Sequence, residues 1–578
     1  MLDRRVFLAS LTGPLLTTAV RPVQAATVAA TPCQLDIAAP FLARDPSQNL
    51  ATSLLFTATC FPGIEGFRQP GLATEYQILL YDNKGNEIPL DHGGKYEIPA
   101  MRPTLLDLGK LSGRDTFFGG ARIRVAPSPN QMPRAGDLFS AGFVRWDLPT
   151  NFDNIHAHPA APQQAVGHFN YSMPLPALSE YHVAFSLFNP SDERSFGSIR
   201  VVDRMGRVAL HRDYELRPHQ TVLHTMGDLR PADSPGEALA ITPLATPALS
   251  DGGTLVIRNE SASVPFAYTF MKGRTGGSFT AEHPLHFQAD TPVKPARATP
   301  YGPNRSFPAQ AMVYTPMLFK GLSIGELRLE SRVYLSASRW AEEALWMLPF
   351  ATTGEGNIAW VSNRDDKCAD RIAPSALAVD GAVRLTEFQS CRIDAAALPL
   401  PDGFSGGFGA ATIPKTSHSL NKIEVRAVNW GRVAFTHFRP GGAVAKSYRQ
   451  AEERGGLASD YIVSGAHMIP GKRDCLLAIM NIEFEDDNTG TPVIQLFGPD
   501  GLAGERRLDD FAPLACRHLP LSQLFPGAHS DPAHPFTVRM TVANAITIVS
   551  ALHIDFERRD IALEHGSDRH STFQDFKC

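Results

Sequence analysis

Apolar residues in this chain come in short runs that alternate with polar ones, and Gly, Asn, Asp or Pro closes the runs at intervals of about ten residues. Ile423, Val425 and Ala427 alternate with Glu424, Arg426 and Val428, the period-two pattern of a strand with one face inward and the other mostly in water. Three stretches read as strand, tight reversal, strand: Leu79–Leu90 (LLYDNKGNEIPL), Val201–Leu216 (VVDRMGRVALHRDYEL) and Ile494–Leu508 (IQLFGPDGLAGERRL).

What flanks these hairpins also recurs. An apolar strand ending in Asn and a charged loop occurs at Val183–Ser195, Asn357–Lys367 and Leu476–Gly490. A segment with a late Leu or Phe occurs at Thr104–Gly113, Thr221–Leu229 and Cys516–Gly527. Strands rich in apolar and aromatic residues close the units at Gly253–Phe270, Asn421–Phe438 and Phe536–Phe556, and at Ala141–Leu148 in the first. In the third unit the hairpin is expected in shortened form at Leu377–Leu385. The pattern predicts an all-β chain of about four tandem antiparallel β-sandwiches, with few short helices. They fall at residues 27–160, 161–290, 309–446 and 447–578, with a Pro-rich linker at 291–308. The best helical signal is Ala443–Gly456, long side chains ending in Gly.

The order of strand with terminal Asn, D-x-x-G hairpin, L-x-P-h segment (Leu216-Arg-Pro-His219) and aromatic closing strand resembles small bacterial β-sandwich modules of the sensory rhodopsin transducer type. The resemblance is clearest in the second and fourth units. It implies a binding or interaction module and carries over no catalytic residue.

Residues 1–26 have a charged start, an apolar stretch from Val6 to Val20 broken by Gly13 and Pro14, and small residues near Ala25. That is the form of a secretory signal peptide, and Asp3-Arg-Arg-Val-Phe-Leu8 resembles a bacterial twin-arginine export motif. The expected location is therefore periplasmic or extracellular, at the cell surface. No later window is apolar enough for a membrane-spanning helix. Lys and Arg number 54 against 59 Asp and Glu, without a basic stripe, which argues against nucleic acid as a partner.

An oxidising compartment turns the cysteines into candidate crosslinks. Six cysteines allow about 15 pairings. The local set Cys33–Cys60, Cys368–Cys391 and Cys475–Cys516 is favoured because each pair lies inside one unit. Cys578 is left over as a free or intermolecular thiol, a route to a disulfide-linked homodimer.

Candidate chemistry is sparse. Gly321-Leu-Ser-Ile-Gly325 matches a nucleophile pattern with Ser323 as the serine, but the strand-like flanks fit a turn better than a strand-to-helix elbow. His156 and His158 lie two apart near Asp153, a spacing that can hold a metal if another element adds ligands. The C-terminal run collects His553, Asp555, Glu557, His565, Asp568 and His570. Acidic loops recur at Asp192–Glu193 and Asp365–Asp366. The strongest, Glu483, Glu485, Asp486, Asp487 and Asn488, offers hard oxygen donors for Ca²⁺. The bland alternative is that such loops serve solubility and keep edge strands from pairing. The expected function is non-enzymatic binding or assembly at the bacterial envelope, with a protein, glycan or lipid partner. The rivals are an envelope hydrolase using Ser323 and a periplasmic metal-binding protein.

Overall fold

A computed structural model describes residues 35–46, 50–60, 73–99, 101–127, 138–148, 151–156, 158–159, 169–226, 241–244, 249, 251–274, 279–282, 285–288, 312–336, 343–345, 347–352, 358–360, 383–385, 389–397, 403–412, 422–440, 458–482, 489–512 and 515–568. The chain is all-β, built of several antiparallel sheets with only short helical turns between them.

The second set of strands gives the plan. One sheet runs Val208–Leu216, Ser195–Asp203, Gly253–Asn259, Phe169–Leu175, Leu285–Gln288 and contains the hairpin. Its partner sheet runs Ile241–Leu244, Thr221–Met226, Tyr181–Phe188, Phe266–Gly273, Phe279–Glu282. The fourth set repeats the hairpin sheet as Gly501–Arg507, Val493–Gly498, Phe536–Val542, Ser459–Ala466, Ser567–Asp568. Its partner sheet is Cys516–Pro520, Arg473–Asn481, Thr547–Asp555, Asp560–His565. The first and third sets keep the same succession, but their long opening strands, Leu35–Asp45 and Met312–Ile324, join the two sheets by pairing onward with Leu50–Cys60 and Leu327–Ser336.

Turn chemistry explains the recurring hairpins. Asp82 Oδ1 accepts from the backbone N–H groups of Lys84 (2.8 Å) and Asn86 (2.9 Å), and Asp203 Oδ1 accepts from those of Met205 and Arg207 (both 2.9 Å). Gly85 and Gly206 take the left-handed conformation that closes each turn. The terminal Asn of the apolar strand also has a task. Asn189 Nδ2 donates to Arg217 O, and Asn481 Nδ2 donates to Phe511 O, tying the strand end to the loop after the hairpin.

The third set departs from expectation. Its hairpin is Met347–Thr352 with Ile358–Trp360, earlier than Leu377–Leu385, and Leu327–Ser336 takes the place of the Asn-ended strand. Val383–Leu385 instead pairs with Glu343–Leu345 in a separate ribbon. The alternation in Asn357–Lys367 resembles the strand before a hairpin, but Ile358–Trp360 is the hairpin's own second arm. The Ala443–Gly456 segment and the 291–308 linker lie outside the described residues.

Each hairpin sheet packs on the partner sheet of the next unit. Leu35–Asp45 lies against Tyr181–Phe188 and Phe266–Gly273, and Phe169–Leu175 against Leu327–Ser336. Met312–Ile324 lies against Arg473–Asn481 and Thr547–Asp555, and Ser459–Ala466 returns to Leu50–Cys60 and Leu138–Leu148. The four units therefore close into a ring. Its centre is lined by the last strand of each partner sheet, Asn151–His156, Phe279–Glu282, Arg432–His437 and Asp560–His565, each packed on the next in cyclic order.

Apolar clusters cross these seams. Leu223, Tyr268 and Phe270 join the core of the first unit, Tyr334 and Phe435 that of the second, and Leu476, Leu552, Ile561 and Leu563 that of the third. Gly120, Thr254 and Thr537 hold one equivalent position, opposite Tyr81, Val202 and Phe497, where the neighbour comes close. A Cβ on Gly120 would lie 2.6 Å from the Phe188 ring, while Thr254 hydrogen-bonds Ser336 (2.9 Å) and Thr537 hydrogen-bonds Thr57 (2.8 Å).

The hairpin turns clasp the neighbour. Gly85 sits so close to Pro218 that an added Cβ would be 2.3 Å from its carbonyl oxygen, and Tyr81 stacks on His219 at 4.1 Å. At the next seam Arg204 O accepts from Ser390 N (3.2 Å), and Met205 O accepts from Gln389 Nε2 (3.3 Å). Gly85→Ala and Gly501→Ala carry the same positive-φ strain, but a Cβ at Gly501 meets nothing within 4 Å. Urea unfolding should therefore show Gly85→Ala costing about 1–3 kcal/mol more than Gly501→Ala. Equal losses would contradict the clasp.

Candidate functional site

The strand Lys422–Ala427 shows why the polar residues of this chain gather where they do. Its alternation predicts one wet face, yet Lys422 is buried and Glu424 has 0% exposure. The supposed solvent face is covered by the preceding unit. Tyr181 Oη from the second unit donates to Glu424 Oε1 (2.6 Å) and Tyr334 Oη to Glu424 Oε2 (2.7 Å). Arg426 Nε lies 3.4 Å and Arg332 Nη1 3.8 Å from the same carboxylate. Arg332 also pairs with Glu180 (2.5 Å) and Asp394 (2.7 Å), and Arg392 with Glu180 (2.8 Å). Burial holds the Glu424 carboxyl above its usual range, against the pull of Arg332 and the two phenols. Burial, with Glu424 beside them, pushes both phenols up.

The ring's centre holds a second cluster. Glu282, His437 and His565 end their respective strands, opposite Thr269, Lys422 and Ser550; His437 and His565 hold one equivalent register position, and Glu282 stands one residue before it, on the other face of its sheet. Glu282 Oε1 lies 3.3 Å from both Lys422 Nζ and His437 Nδ1, and the His437 and His565 rings meet edge to face at 4.1 Å. Burial works against the Glu282 charge, but Lys422 and His437 outweigh it and hold its carboxyl below the usual range. Burial pushes the Lys422 ammonium down. On the adjoining strand Glu564 accepts from Ser464 N and lies 3.3 Å from His553 Nε2.

A third cluster lies at the seam of the third and fourth units. His518 donates from Nε2 to Pro316 O (2.7 Å), sits edge-on to Phe319 at 5.0 Å, and has Cys516 Sγ 3.9 Å away. At the closing seam Thr57 contacts Ser464 (3.2 Å) and Thr537 (2.8 Å). Asp460 and Arg539, on the same faces as Ser464 and Thr537, form a bidentate buried pair at 2.7 Å.

No protein-family model matches this chain, and no curated protein matches it.

Of the sequence-predicted residues, His565 and His553 come to the ring's centre, where they face His437 and Glu564. His156 ends its strand opposite Phe143, the backbone position that His437 and His565 hold in theirs; the side chains of His156 and His158 are outside those described. Asp555 pairs with Arg473 (2.8 Å) and Glu557 with Lys472 (3.2 Å). Among the described residues no three His, Cys, Asp or Glu side chains converge as a metal site. Ser323 is exposed, opposite Arg328 in a β-hairpin turned by Gly325-Glu326, with strand on both sides and no helix after it. Asp192 binds His219 (3.0 Å), which stacks on the first unit. Asp365, Asp366, Glu483, Glu485, Asp486, Asp487, Asn488 and His570 lie outside the described residues.

The expected Cys475–Cys516 bond is not formed; both are buried free thiols. Cys516 faces Met480, five positions along from Cys475, so the strand holds them roughly 16 Å apart, beyond any disulfide's span. Cys391 is likewise a free thiol, pushed up to about 11 by burial. Cys33, Cys368 and Cys578, and the side chain of Cys60, are outside the described set. Among the described residues no helix is long and apolar enough to cross a membrane.

Sequence reasoning missed Glu282, Lys422, Glu424, His437 and His518. A signal was present for one of them: His437, like His156 and His565, closes the last apolar strand of its unit, a recurrence visible once the units are aligned. Removing a buried carboxylate from its partners is costly, so Glu424→Ala should lose about 3–5 kcal/mol in denaturant unfolding, and Tyr334→Phe about 1 kcal/mol. A loss under about 0.5 kcal/mol for Glu424→Ala would mean the seam is not closed there.

Proposed function

We propose that this protein is a non-enzymatic scaffold of the bacterial envelope, exported by the twin-arginine route to the periplasm or cell surface, where it binds or assembles a protein, glycan or lipid partner. The observation that carries this reading is the clasp: the first and second hairpin turns are each seated on the following unit, so the loops of neighbouring modules are held in a fixed arrangement. Such a frame presents several contact points at once, and ordering them in advance lowers the cost of binding. The large apolar side chains left exposed include Phe196, Val208 and Leu502, all on hairpin strands. Buried ionisable groups of the second and third units bind each other across their seam.

Photo-crosslinking in intact cells from a reactive residue at Leu502 should capture a discrete partner, absent when the residue is placed at buried Leu496. Capture of nothing above background from Phe196, Val208 and Leu502 alike would count against the scaffold. Ser323→Ala should leave any esterase turnover of the purified protein unchanged. A loss beyond about a hundredfold at unaltered thermal stability would replace this reading with a serine hydrolase.

A further inference from the structure

We infer that the seam between the third and fourth units is an acid-sensitive joint, closed while at most one of His518, His437 and His565 is an imidazolium and loosened as more of them become charged. This goes beyond the scaffold reading and rests only on the packing of the seam.

Two separate placements point to it. His518 projects from the fourth unit into the third, facing Pro316 O, Phe319 and the backbone at Gly406, with Cys516 beside it on its own strand. All of these are uncharged at neutral pH, so an imidazolium there gains only a carbonyl acceptor in exchange for water. Burial accordingly pushes the ring down to about 4, with Pro316 O opposing. At the ring's centre, His437 from the third unit and His565 from the fourth meet at 4.1 Å. His437 is faced by Glu282 from the second unit and by Lys422 on the neighbouring strand, and that carboxylate already carries the Lys422 ammonium. His565 follows Glu564, whose carboxylate lies against His553 and Ser464 N. One imidazolium fits such a pair; a second, next to the first in a low dielectric, repels it.

The sign follows from linkage. A histidine held below its unfolded value of about 6.5 binds protons more weakly folded than unfolded, so stability falls as pH drops from about 6.5 towards the folded value. Glu424, at the preceding seam, is held above its unfolded value and works in the opposite sense. His219, at the first seam, is also held down by burial, but Asp192 opposes this and gives its imidazolium a partner, so acid weakens the joint of the third and fourth units most. Opening it would bare Leu476, Leu552 and Ile561, now shared with the third unit.

The test is histidine-ring NMR of the full chain across pH, with melts at about pH 7.5 and about pH 5. His518 should titrate below about 5.5, and the melting temperature should fall by about 5 °C or more on acidification. The double variant His518→Gln, His565→Gln should melt lower at the higher pH yet lose less than half of that acid shift. Hydrogen exchange, corrected for intrinsic rates, should rise at pH 5 in 312–324 and 473–481 before 35–45. A His518 midpoint near 6.5 in the folded wild type, an undiminished acid shift in a folded double variant, or exchange rising equally in all units would each overturn the joint; the wild-type titration decides if the variant does not fold.

Discussion

A sheet covered on both faces cannot leave its polar side chains to water, and ring closure imposes that condition on the strands that meet at each seam. Ser459–Ala466, Thr547–Asp555 and Asp560–His565 are buried along their whole length. Each charged residue on such a strand must find its partner across the seam or on the next strand, because an unmatched buried charge costs several kcal/mol. Tyr181 and Tyr334 on Glu424, Lys422 and His437 on Glu282, and Arg539 on Asp460 are the outcome of that demand.

Those pairs do not supply most of the adhesion. Buried ion pairs roughly break even against apolar residues of similar volume. The apolar clusters that cross the seams bring the larger gain, at roughly 25 cal/mol per Å² removed from water. What the polar contacts add is position. A hydroxyl pair such as Thr57 and Thr537 is satisfied in one alignment of the two units, and a slip would leave both groups buried without it. The hairpin turns reinforce the alignment from outside, since Gly85 permits an approach to Pro218 that a side chain would block. The repeated hairpin is thus a fastening between units as well as a turn within one.

Much of this was legible in the chain. Period-two alternation, the D-x-x-G turns at Asp82 and Asp203, and the recurrence of strand, hairpin and aromatic strand pointed to an all-β architecture, because these signals are local. What they could not convey was the seam. Glu424, Arg426 and Val428 read as a solvent face because alternation reports two faces and says nothing of a neighbour lying on the second. The same blindness misplaced the third hairpin, where one short alternating strand resembles another, and paired Cys475 with Cys516, which share neighbouring strands but lie at opposite ends. The central cluster was half visible: His565 stood out as a candidate ligand, whereas Glu282 and His437 gain their meaning only when three units are brought round one centre.

Closure between the first and last units is the claim on which the ring depends, and a crosslink tests it most directly. Thr57 and Thr537 are far apart in sequence, and their Oγ1 atoms lie 2.8 Å apart. With cysteines at both positions, mild oxidation of the folded monomer should join them within one chain, seen as a single crosslinked peptide by mass spectrometry and lost on unfolding before oxidation. A folded protein that forms no such link, or forms it only between chains, would contradict the ring.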